Sequence, residues 1–93
     1  MIDYEWDPQK AALNLKKQMV DFADAVLVIE DDWGLTVKEQ SVESEERFAT
    51  IGENGLGQIL VVVYTHRGDR IRIISARTPA RKERKTYEEK RRI

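Results

Sequence analysis

Residues 58 to 65, QILVVVYT, are nearly continuous in apolar side chains. A short run rich in β-branched residues and closed at both ends by turn signals reads as the central strand of a sheet. Glu53-Asn54-Gly55 precedes it, and Asn-Gly suits the positive φ of a tight hairpin. His66-Arg67-Gly68-Asp69 follows as a second tight turn. The neighbouring segments then become strands as well, Glu46 to Gly52 on one side and Arg70 to Ala76 on the other. The result is an antiparallel meander with residues 58 to 65 at its centre. In RIRIISA, side chains alternate, so Arg70, Arg72 and Ile74 face one way and Ile71, Ile73 and Ser75 the other.

Helical and strand signals flank this meander. Ile2, Tyr4 and Trp6 alternate with Asp3 and Glu5, the period of a short half-buried strand. Asp7-Pro8 opens a helix, an N-cap oxygen followed by proline at the first helical position. Ala11, Ala12, Leu15 and Met19 form its apolar stripe, and Lys10, Lys16 and Lys17 project elsewhere. Asp21 caps a second helix, from about Phe22 to Val28, with Phe22, Ala25, Val26 and Ile29 at helical spacing. Glu30 to Gly34 break it. Residues 38 to 45 are polar and read as a mobile loop. Thr78-Pro79 opens a last helix running to Ile93. The predicted order is β-α-α-β-β-β-α in one domain over residues 1–93: an α+β fold with helices on one face of a twisted antiparallel sheet. Such a sheet leaves its other face partly free for use.

The last helix is unusual. It offers little beyond Ala80, Tyr87 and Ile93 to bury, so it needs another reason to be there: a charged seam, a partner chain or a ligand. Charge gives a direction. Residues 66–93 hold 11 of the 16 Lys and Arg and only 4 of the 17 Asp and Glu, a formal +7. Residues 1–65 carry −8, so the net charge of −1 hides a bipolar chain. A strand running into a basic helix suits a polyphosphate, RNA above all. The same charge run also suits a solvated, salt-bridge-laced helix.

Composition closes several routes. There is no cysteine and a single histidine, which excludes disulfides and thiolate chemistry and leaves no basis for a Cys or His metal site. No apolar run reaches the length of a membrane helix, and the acidic start, MIDYEWDPQK, lacks a signal-peptide core. The expected compartment is the cytoplasm. The glycines of GENGLG read as turn residues, not as a phosphate cradle. Asp31-Asp32 and Glu45-Glu46 read as solvated loop charge, with Mg2+ binding the weaker alternative. No cofactor is implied.

What remains is cationic. Arg70, Arg72 and Arg77 come from the last strand and its exit, Arg81 and Arg84 from the helix behind it. Lys10 and Lys17 share a face of the first helix. Guanidinium groups clamp phosphate in two-pronged fashion and stay charged. They also suit the extra charge of a phosphorane-like transition state, so metal-free RNA cleavage needs little more than a base for the 2′-hydroxyl proton, with an acid to assist the leaving 5′-oxygen. Glu83 and Tyr87, four apart on the helix, are candidates for proton transfer or for orienting the arginines; otherwise Glu83 pairs with basic neighbours and Tyr87 is the docking aromatic. His66, in a tight turn away from the strand face, is a poor acid-base candidate despite its chemistry. Trp6 reads as core, and Trp33 is open to either role.

The segments EWDPQKAALNLKKQ, VDFADAV, EERFATIG, LVVVYTHRGDRIRIISAR and RKERKTYE resemble, in order and at close spacing, the BrnT family of type II toxins. The resemblance covers nearly the whole chain, and IRIISAR followed by Glu83 and Tyr87 is its most specific part. It implies a RelE-like fold and a ribonuclease toxin that acts without metal and arrests translation. It also implies a BrnA-type antitoxin with a ribbon-helix-helix DNA-binding domain, the complex repressing its own operon, so that operator DNA is met only through the antitoxin. By position, the polar motif residues are Lys10, Asn14, Lys17, Arg47, Arg72, Arg77, Glu83 and Tyr87. The catalytic set is then Lys17, Arg72, Arg77, Glu83 and Tyr87, with Lys10, Arg47, Arg70, Arg81 and Arg84 binding RNA. Family members commonly read Lys-His-Gly where this chain has Lys17-Gln18-Met19. The histidine is missing here, and Met19 disfavours the left-handed cap that glycine would allow, so the first helix is expected to end differently. That departure supports an alternative, a non-catalytic module that binds nucleic acid or antitoxin in a repressor complex.

Overall fold

The computed structural model describes residues 2–39 and 45–91. Its elements are β1 (Asp3–Glu5), α1 (Pro8–Gln18), α2 (Phe22–Ile29), β2 (Leu35–Glu39), β3 (Arg47–Glu53), β4 (Ile59–Arg67), β5 (Arg70–Arg77) and α3 (Arg81–Arg91). The fold is α+β, and the expected element order is present with one strand added, β2. The sheet runs β1-β5-β4-β3-β2, with the apolar strand β4 in the middle. β2 to β5 pair antiparallel, but β1 joins the edge of β5 in parallel through Asp3–Arg70, Tyr4–Ile71 and Glu5–Arg72, so the sheet is mixed. Among the described residues, no helix is long and apolar enough to cross a membrane.

β2 pairs with β3 from Leu35–Ile51 to Glu39–Arg47. It is an edge strand and largely exposed, so its residues carry little burial signal. Lys38 and Glu39, expected in a loop, belong to it, and residues 40–44 of that loop lie outside the described residues.

The core lies between α2 and one face of the sheet. Val20, Phe22, Ala25 and Val28 pack on Leu60, Val62, Tyr64, Ile71, Ile73 and Ala76. Trp6 meets Phe22 edge to face at 6.1 Å, at the margin of this core.

α1 departs from its expected stripe. Its N-cap Asp7 accepts a hydrogen bond from Gln9 N–H at 2.8 Å, but Ala12, Leu15 and Met19 are exposed and the buried residue is Asn14. The cause is the edge of β5, where β1 pairs only as far as Arg72. There the Asn14 amide takes the place of a strand. Its Nδ2 donates to the Ala76 carbonyl at 2.9 Å, and its Oδ1 accepts from Ala76 N–H at 3.1 Å. Nδ2 also donates to Val20 O at 3.0 Å. The end of α1 corrects a second expectation. Met19 adopts the left-handed conformation (φ 58°, ψ 31°), so the helix ends as a glycine-capped one would.

A β-bulge re-aims β5. The β4–β5 register jumps from Val63–Ser75 to Tyr64–Ile73, which leaves Ile74 unpaired. Alternation is reversed beyond it, so Ala76, and not Ser75, follows Ile71 and Ile73 into the core. Arg72, Ser75 and Arg77 share the opposite face. The turns shift slightly too. In the β3–β4 connection the positive φ falls on Gly57, while Asn54 is buried with its Oδ1 accepting from Leu56 and Gln58 N–H. His66 lies within β4, opposite Ile71, with its ring edge-on to Phe48 at 5.3 Å, and not in the turn.

Candidate functional site

The sheet face opposite the core collects the arginines. Cross-strand partners share a face, so Glu39–Arg47, Thr65–Arg72 and Arg72–Glu5 run across the sheet as one polar row. One end of the next rows is apolar: Val61 is opposite Arg77, and Ile51 opposite both Val61 and Leu35. α3 crosses this face beside β3. Its Glu83 and Thr86 line an apolar groove of about 230 Å³ with Leu35, Val37, Ala49, Ile51 and Val61. The helix begins at Arg81, two residues later than Thr78-Pro79 suggested, because the Glu83 carboxylate accepts from Ala80 N–H at 2.8 Å and closes the first turn there.

Each arginine of this face is held by a carboxylate. Arg77 donates through Nη1 and Nη2 to the two oxygens of Glu83, at 2.8 and 3.0 Å. This fork, then the Ala80 N–H, pulls the Glu83 acid down to about 2 against the burial that would raise it. Glu83 is therefore a fixed anion at neutral pH and a poor proton acceptor. The same bond pushes the Arg77 guanidinium further towards its charged form. Arg72 donates to Glu5 at 2.8 Å, and Glu5 lies 3.8 Å from the more exposed Arg70. Arg47 contacts Glu45 at 3.4 Å, and its Nε is buried without a partner.

Tyr87 is fully buried, and its hydroxyl donates to Asp31 at 2.5 Å. Burial, then this bond and the nearby Asp31 charge, push the phenol up to about 12. Of the two readings of Tyr87, the docking aromatic is the one this geometry fits. Asp31 itself is no solvated loop charge. Its carboxylate accepts from Tyr87, from Glu53 N–H at 2.8 Å and from Trp33 N–H at 3.0 Å. Burial alone would raise its pKa, but these bonds and Arg91 outweigh that and lower it.

The remaining predicted residues lie elsewhere. Lys10 and Lys17 do share a side of α1, in a shallow cleft with Leu13, Asn14, Gln18 and Ile74. Arg81 and Arg84 are exposed on α3, Arg84 beside Glu88 at 3.5 Å. Trp33 is exposed. Among the described residues no cluster of His, Asp and Glu could hold a metal ion. The site thus brings together Arg47, Arg72, Arg77 and Glu83, with Tyr87 behind them and Lys10 and Lys17 in a separate cleft. Sequence reasoning missed Glu5 and Asp31. The alternation of Asp3 and Glu5 against Tyr4 was the signal available for Glu5, but its partner lies 67 positions away. For Asp31 nothing local distinguished it from Asp32.

The family model for the ribonuclease toxin BrnT of type II toxin–antitoxin systems matches residues 6–83. Among solved structures, the fold matches the 1.1 Å crystal structure of the Brucella abortus ribonuclease toxin BrnT, with a TM-score of 0.65 and 23% sequence identity. That match covers 87% of this chain and all of the other. No match was found among curated proteins.

Proposed function

The chain belongs to the BrnT family of type II ribonuclease toxins, and from that premise we propose that it is a cytoplasmic endoribonuclease that cuts RNA without a metal ion and so inhibits translation. A type II toxin has an antitoxin partner; we assign it a BrnA-like ribbon-helix-helix protein, through which alone the pair meets operator DNA. The observation that carries the reading is the Arg77–Glu83 fork, on the same sheet face as Arg72–Glu5. Glu83 occupies both terminal nitrogens of Arg77, and Thr78 O accepts from one of them at 3.3 Å. The guanidinium is thereby pre-oriented, which is what stabilising a developing charge requires. Arg47, Arg72 and Arg77 hold the scissile phosphate and its neighbours, and Arg70, Arg81, Arg84, Lys10 and Lys17 extend the attraction along the strand.

Proton transfer does not fall to the expected pair. Glu83 is ionised at neutral pH with its oxygens engaged, and Tyr87 has no exposed surface. Catalysis on this face therefore rests on aligning the 2′-hydroxyl with the phosphorus and on charge stabilisation, with solvent carrying the proton. These facts, with Gln18 where the family has histidine, also favour the second reading, a binding module without catalysis.

Purified chain, freed of antitoxin and incubated with labelled RNA in EDTA, distinguishes the two. Cleavage is expected, and Arg77→Ala should slow it about 10²–10³-fold, the range for removing one charge-stabilising donor. Arg77→Lys should recover little of this, because an ammonium cannot make the fork. RNA retained but uncut, beside a control nuclease that cuts it, would establish the binding module instead.

A further inference from the structure

α3 is an almost wholly charged helix, RKERKTYEEKR, with Tyr87 as its one buried residue. Besides the Glu83–Arg77 fork and the buried Tyr87 ring, its attachment rests on the Tyr87 hydroxyl at Asp31 and on the ion pair of Arg91 with Glu53. Asp31 in turn is built in from several sides. Its carboxylate takes the N–H groups of Glu53 and Trp33, and its own N–H donates to Val28 O at 3.2 Å. Gly52 makes the room: a Cβ there would lie 2.9 Å from Val28 O and 3.1 Å from the Asp31 carboxylate.

Glu83 sits one helical turn before Tyr87 on the same face of α3. Where Tyr87 is pinned, Glu83 is placed, and Glu83 forks Arg77 at 2.8 and 3.0 Å. We propose that Asp31 is a positioning residue for the ribonuclease site, acting through Tyr87 and α3 on Glu83 and so on Arg77. This rests on the reading of Arg77 as the phosphate-holding residue. Small misplacements of such a group are costly, with 1 Å worth about 10²-fold in rate.

The test uses the full chain and five variants: Arg77→Ala, Glu83→Gln, Tyr87→Phe, the double Tyr87→Phe/Glu83→Gln and Asp31→Asn. Tyr87→Phe removes only the hydroxyl and leaves Asp31 its backbone partners, so the sheet stays folded. Amide hydrogen exchange on α3 reads docking, and kcat and KM for RNA read the site. Tyr87→Phe should speed exchange along α3 and lower kcat about tenfold or more, with KM changed less. The double variant should be no slower than Glu83→Gln alone, since both changes release the same arginine. Asp31→Asn should match Tyr87→Phe in both readouts. Parental kcat in Tyr87→Phe, or losses that multiply in the double variant, would overturn the proposal while the parent cuts RNA and Arg77→Ala slows it. A parent that cuts no RNA overturns the ribonuclease reading itself, and the positioning role with it.

Discussion

Met19 holds a left-handed backbone at φ 58° and is 81% exposed, so little packs there to repay the strain. A residue with a Cβ loses about 1 kcal/mol or slightly more in that region, and glycine does not. Met19→Gly should raise the urea midpoint by an amount equivalent to about 1 kcal/mol, less the extra freedom glycine gives the unfolded chain. Asn14 is the opposite case, a polar residue bonded to three buried backbone groups: Ala76 N–H, Ala76 O and Val20 O. Asn14→Ala leaves those groups unpaired and should cost about 2–4 kcal/mol, read as a lower urea midpoint with unchanged cleavage chemistry per folded molecule. The family resemblance pointed to both positions. It did not say that Asn14 serves a strand edge, because that edge lies 62 positions along the chain.

Helix α3 shows how an element can be held by titrating groups. Glu83 has its folded pKa lowered to about 2 from the ordinary 4.5, so its contribution is complete above the ordinary value and is lost as pH falls through about 2. Asp31 acts in the same sense. Tyr87 is raised to about 12 from 10, so its contribution is complete below 10 and is lost as pH rises through about 12. Exchange protection of the α3 amides should therefore be flat from about pH 5 to 10 and fall on both sides. Tyr4, bonded to Glu30 at 2.8 Å, is also pushed up to about 12. Tyr87→Phe separates them, because it should abolish the alkaline step in α3 and leave any step at β1. Helices α1 and α2 were legible from Asp7-Pro8 and Asp21, whose caps are local. β2 was not legible, since an exposed edge strand buries too little to impose a pattern.

At the scale of the molecule, the bipolar chain folds so that its two halves meet. Glu5 reaches Arg70 and Arg72, and Glu53 reaches Arg91, acids of the first 65 residues on bases of the last 28. The basic third is thus partly neutralised by its own protein, and the surface left for RNA is smaller than +7 suggests. RNA binding should have a modest salt slope, about −2 in log K against log salt, for two or three phosphates at about −0.7 each. A slope near −5 would mean that the exposed cations of α3 and α1 bind the strand directly. By itself, the sequence determined the strands of the meander, the two capped helices, the α+β class and the basic character of the last third. All of these follow from signals within a few residues of one another. The tertiary structure alone decided which face the arginines share, which carboxylate holds each, and that Tyr87 faces Asp31. Those outcomes depend on the single-residue bulge at Ile74, on the parallel docking of β1 and on contacts between positions far apart, and a local pattern carries no record of register.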